Sequence, residues 1–126
     1  MTPLNLTDNA KVVFGAPIIG ALATTNGDCD YVSLLNFERC TIVIAVDHAT
    51  TITGGDVTLK QATAVAGTDE KALAFDTVYA NLDAAAGDTL TETAVTSDTF
   101  TTLTTDNKNA LYVIELKASD LDVNNG

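Results

Sequence analysis

Apolar and polar positions along this chain recur mostly with a period of two, the spacing of strands rather than the 3.6 of helices. RCTIVIAVDH is the clearest run: rich in β-branched residues and apolar at both parities, it predicts a strand covered on both faces. DYVSLLNFE before it predicts a shorter strand, with the connection at Asn36 to Arg39. DVTLKQATAV places Val57, Leu59, Gln61 and Thr63 on one side and Thr58, Lys60, Ala62 and Ala64 on the other, as in a strand with one wet face. The threonine-rich TLTETAVTSDTFTTLTT predicts two short strands around Ser97-Asp98, because a branched Cβ favours extended backbone. AFDTVYANL fits a strand or a short helix. ALYVIELKA predicts the last strand, followed by one helical turn capped by Ser119.

Turn chemistry separates these segments. Gly54-Gly55, Gly67 to Lys71, Asp83 to Asp88 and Asp106 to Asn109 supply the glycine, asparagine and aspartate that turns require. Short strands with a turn every ten residues or so predict an all-β fold: a single antiparallel β-sandwich or jelly-roll-like domain over residues 31–126. Residues 1–30 differ. KVVF is a strand candidate there, but GAPIIGALATTNGDCD is apolar and broken by Gly15, Pro17, Gly20 and Gly27, which predicts an irregular N-terminal arm and loop. That apolar loop either packs on a neighbouring molecule or folds over the domain's own core.

The 126 residues suit one domain with a real core, and 46% of them are hydrophobic. No apolar run approaches the roughly 20 residues of a membrane-spanning helix, and MTPLNLTDNAKVVF lacks the pattern of a secretory signal, so the expected compartment is the cytoplasm. Seventeen acidic against six basic residues give a net charge of −11. Such a surface repels phosphate backbones, which argues against nucleic acid as a partner. In a reducing compartment Cys29 and Cys40 are expected as free thiols, and with a single histidine they do not make a zinc site.

Candidate chemistry is sparse. His48 is the one histidine and follows Asp47, but adjacent strand residues point to opposite faces, and no GxSxG supplies a nucleophile. Neither phosphate-binding glycine motif is present. Most carboxylates sit where turns use them. Asp120-x-Asp122-x-Asn124 has the alternate-ligand spacing of a calcium loop, yet Asn125 stands where glycine is needed and no glutamate follows. Asn26 to Asp30 is a weaker cation candidate still. The chain therefore reads as non-enzymatic, with no cofactor and no metal.

DYVSLLNFERCTIVIAV, VTLKQATAVAGTDEKALAFDTVYAN and ALYVIELKASDLDVNNG together resemble a group of small structural proteins of tailed bacteriophages, over about Tyr31 to Gly126. The resemblance implies a virion component assembled in the host cytoplasm, foremost a capsid decoration or cement protein. Its partners would be the major capsid protein and copies of itself, as a homo-oligomer with a trimer as one form, and it carries no catalytic residues over. Similar proteins run past the NNG turn into a further strand, whereas this sequence stops at Gly126. The final strand is thus expected to be a sheet edge awaiting completion. The residues expected to mediate assembly are Leu4, Val12, Val13, Phe14, Ile18 and Ile19 of the arm, with Leu111, Val113, Ile114 and Leu116 of the final strand. The alternatives are a tail, neck or head-fibre-base component, or a carbohydrate- or calcium-binding adhesive module.

Overall fold

A computed structural model describes residues 6–15, 29–47, 55–102 and 108–122. Over these residues the fold is all-β and antiparallel. A four-residue helix, α1 (Leu6–Asn9), precedes eight strands: β1 (Arg39–Asp47), β2 (Asp56–Thr58), β3 (Lys60–Gln61), β4 (Lys71–Ala72), β5 (Thr77–Asn81), β6 (Thr91–Ala94), β7 (Thr99–Thr101) and β8 (Asn109–Lys117). A single 3₁₀ turn, Ala118–Asp120, follows β8.

The principal sheet has the order β1-β8-β5-β6, and two smaller sheets pair β2 with β7 and β3 with β4. The long β1–β8 ladder runs from Arg39 opposite Lys117 to Asp47 opposite Asn109. This register puts Cys40, Ile42, Ile44 and Val46 on the same face as Ala110, Tyr112, Ile114 and Leu116, and the core lies against that face. Leu73, Phe75, Val57, Leu59 and Phe100, from the segments that carry the small sheets, close it from the other side. Backbone bonds tie those segments together: Leu59 N–H to Asp98 C=O (2.8 Å), Phe75 N–H to Ser97 C=O (3.1 Å) and Leu73 N–H to Leu59 C=O (3.0 Å). Phe100 meets Phe75 edge-on at 6.2 Å and Tyr112 at 5.3 Å, so three rings cluster within the core.

Several expectations hold. The threonine-rich stretch makes β6 and β7 around a bend at Ser97-Asp98, although the two strands join different sheets. AFDTVYANL supplies a strand, β5. The turn after β3 uses left-handed backbone at Gly67 (φ 77°) and Asp69 (φ 52°).

Others need correction. DYVSLLNFE forms no strand: Asn36 takes a left-handed φ of 70°, and strand propensity without a partner leaves the segment as loop and turn. KVVF likewise runs outside any strand. The β1 segment is not covered on both faces, since its residues alternate between exposed and half-buried along the whole strand. Ser119 does not cap the final turn. Asp120 does so, its carboxylate accepting the Lys117 N–H at 2.9 Å. The turns expected at Gly54, at Asp106-Asn107 and at Asn125-Gly126 fall wholly or partly outside the described residues.

Candidate assembly surface

The expected arm residues separate into two groups. Val12, Val13 and Phe14 are exposed, with Val12 at 71% and Phe14 at 76% of their free surface, and Leu6 nearby is exposed as well. Leu4, Ile18 and Ile19 lie outside the described residues. Within the arm, Asp30 N–H donates to Gly15 C=O at 2.7 Å. Nothing in Ala10 to Gly15 is helical or paired in a strand, so these apolar side chains stand uncovered among the described residues.

For the final strand the sequence-based picture is overturned. β8 is not an edge. It lies inside the sheet, hydrogen-bonded to β1 on one side and β5 on the other. Ile114 has no exposed surface and Leu116 only 7%, so both are core residues that no assembly partner can reach. Leu111 and Val113 project from the opposite face and are half-buried. There they join a shallow apolar row: Val43, Val113 and Tyr79 are in register across three strands, with Ala45 and Leu111 in the next rung. Val43 is 62% exposed. The sheet thus keeps a partly apolar outer face, bordered by Glu115 and Glu92.

The acidic residues that suggested calcium are committed elsewhere. Asp120 holds the Lys117 N–H, and Asp122 pairs with Lys71 at 2.7 Å while its N–H donates to Gln61 Oε1 at 2.8 Å. Those contacts fasten the segment after β8 to β3 and β4. Asn124, the third residue of that spacing, lies outside the described residues, as do His48 and most of the Asn26 to Asp30 stretch. Among the described residues, no group of three or more His, Cys, Asp or Glu is placed to hold a metal ion. Cys29 is exposed and Cys40 half-buried, both free, and burial pushes the Cys40 thiol up, away from a reactive thiolate.

Two surface carboxylates are also perturbed. Glu70 accepts Lys60 Nζ at 2.6 Å and the Tyr31 hydroxyl at 2.7 Å, and those bonds hold its carboxyl below the usual carboxylate range. Asp83 is lowered in the same way by Lys108 at 2.6 Å. The first pair ties a loop to β3, and the second joins the loop after β5 to the segment before β8. An open hollow of about 400 Å³ beside β5, β6 and β7 is lined by Val78, Val95, Thr99, Phe100, Tyr112 and their neighbours, with no carboxylate, amine, imidazole or thiol in its wall. Such a lining offers shape and hydroxyls but no acid–base pair. No helix among the described residues is long and apolar enough to cross a membrane.

Of the sheet's outer face, the sequence names Leu111 and Val113 as assembly residues but not their β1 neighbours Val43 and Ala45. The signal of that face is present in Val43, Ala45, Leu111 and Val113, apolar at the parity opposite to the core set. Compared with known proteins, the chain matches no family model, no curated protein and no solved structure.

Proposed function

We propose that this chain is a non-enzymatic structural module of a phage particle, a decoration or cement protein that binds the capsid shell through its N-terminal arm. In this reading the two strand layers form a small β-sandwich, and the arm is the tether. The observation that carries it is the exposure of Val12 and Phe14 on a segment, Ala10 to Gly15, that joins no helix or strand. Apolar side chains held out on a strap have no value to an isolated acidic domain, and they suit insertion into a neighbour's groove. The sequence resemblance points the same way.

The test is localisation. Virions of the encoding phage, probed with labelled protein, should carry label over the whole shell in many copies. Label at a single vertex would replace decoration with a neck, tail or fibre-base role. Val12→Ser combined with Phe14→Ser should abolish shell binding and leave the melting temperature within about 2 °C, since exposed positions contribute little to stability. Undiminished binding would remove the arm from the interface.

A further inference from the structure

Beyond the arm, the geometry points to β1 as a self-complementary edge: we infer that two copies of this chain pair β1 against β1 about a twofold axis at Val43, giving one continuous eight-stranded sheet. This inference concerns a different element from the arm and does not rest on the virion reading.

The free side of β1 can be assigned from the ladder. Ala118 N–H donates to Glu38 C=O at 2.9 Å, one register step beyond Arg39 opposite Lys117. Backbone groups alternate sides along a strand, so the even-numbered residues of β1 bond to β8. The odd-numbered ones, Arg39, Thr41, Val43, Ala45 and Asp47, turn their N–H and C=O groups outward. No other strand among the described residues pairs with that side. An unpaired edge of nine residues is long, and natural edges are usually interrupted by proline, a bulge or a central lysine. β1 has no proline and no lysine, and its ladder to β8 runs without a break. β6, the opposite edge, is short and polar by comparison, with the sequence TETA.

The strand's charge pattern selects the partner. Its only charged residues are Arg39 and Asp47, at opposite ends and equally far from Val43. Neither has an ion-pair partner among the described residues. Antiparallel pairing centred on Val43 sets Arg39 opposite Asp47 of the second copy, Thr41 opposite Ala45, and Val43 opposite itself. All five outward residues then fall in hydrogen-bonded pairs. Ile42 and Ile44, half-buried on the core side, come to lie opposite each other across the axis. A shift by two residues in either direction loses both ion pairs and leaves outward groups unpaired. The strand is neutral overall, so it adds no net repulsion of its own between two chains of charge −11.

The test is the solution mass of the full chain at tens of micromolar, by sedimentation velocity and light scattering. A dimer of twice the 13.1 kDa chain mass is expected. Val43→Lys places two ammonium groups together at the axis and should give a monomer with an unchanged circular dichroism spectrum, because the side chain points to solvent. Arg39→Asp and Asp47→Arg should each weaken the dimer roughly tenfold or more, by setting like charges opposite each other twice. The combined swap should restore it to within about threefold of the parent, because the opposed charges return. A monomer or trimer at every concentration overturns the proposal. So does a dimer indifferent to Val43→Lys, or one abolished instead by Val12→Ser with Phe14→Ser, which would assign the contact to the arm. Failure of the swap to restore the dimer overturns the antiparallel register.

Discussion

Ile114 and Val113 are adjacent on β8, yet their replacement should have unequal consequences, and the inequality tests the register on which the fold depends. Ile114 has no exposed surface and faces the aromatic layer, whereas Val113 faces outward between Val43 and Tyr79. Ile114→Ala removes buried methyl and methylene groups and leaves a cavity, a loss of about 3–4 kcal/mol on the scale of such core truncations. Val113→Thr keeps shape and strand propensity at a half-exposed site, so about 1 kcal/mol or less is expected. For a domain of this size 1 kcal/mol shifts the melting temperature by roughly 4 °C, so Ile114→Ala should melt roughly 12–16 °C lower. Urea unfolding followed by far-ultraviolet circular dichroism is the assay, with the slope required to stay constant so that midpoints report stability. A one-residue slip of β8 would exchange the two faces. Equal losses, or a larger loss at Val113, would therefore refute the register, the core and the outward assignment of β1 together.

Two further outcomes probe contacts that hold the layers and loops. Thr102 is buried, and its hydroxyl both accepts the Gly55 N–H at 3.0 Å and donates to the Gly55 C=O at 3.1 Å. Thr102→Val keeps the volume and loses both bonds, so unfolding free energy should fall by about 1 kcal/mol; a stabilised variant would show that this clasp is dispensable. Glu70 has its carboxyl pKa lowered by Lys60 and Tyr31, so the unfolded chain takes up a proton there before the folded one does. Its contribution is complete above the ordinary carboxylate value near 4.3 and is lost as pH falls through the lower folded value. Melting curves of the parent and of Glu70→Gln should accordingly converge on acidification below about pH 4. A gap that stays constant from neutral to acid pH would contradict the assignment.

The sequence disclosed strands more readily than neighbours. β8 was legible because ALYVIELKA alternates cleanly, and its core set of Ala110, Tyr112, Ile114 and Leu116 follows from that alternation. Its place inside the sheet was not legible, because its partners, β1 and β5, lie far off along the chain and nothing local encodes pairing. With no strand after it in the sequence β8 is expected at an edge, whereas both of its neighbours precede it in the chain. DYVSLLNFE failed for the complementary reason. It has the residues of a strand, but strand propensity measures fit to a pleated, half-buried surface, and no such surface is offered to it.

β1 is where the misreading carries information. Apolar residues at both parities predict cover on both faces, but only Cys40, Ile42, Ile44 and Val46 of this strand meet the core. Val43 and Ala45 remain exposed on a strand whose outer backbone side is unpaired among the described residues. A sequence that keeps apolar residues where the monomer does not cover them is answering to something outside the monomer. The overall charge of −11 opposes indiscriminate contact, and within that field β1 is a neutral nine-residue strip with its two charges placed for one antiparallel register. Acidity and edge therefore act together: the first suppresses random sheet-to-sheet association, and the second leaves one pairing favourable. The same edge with a lysine at position 43 would be protected from all partners alike, which is why that single substitution separates a selected interface from an unguarded strand.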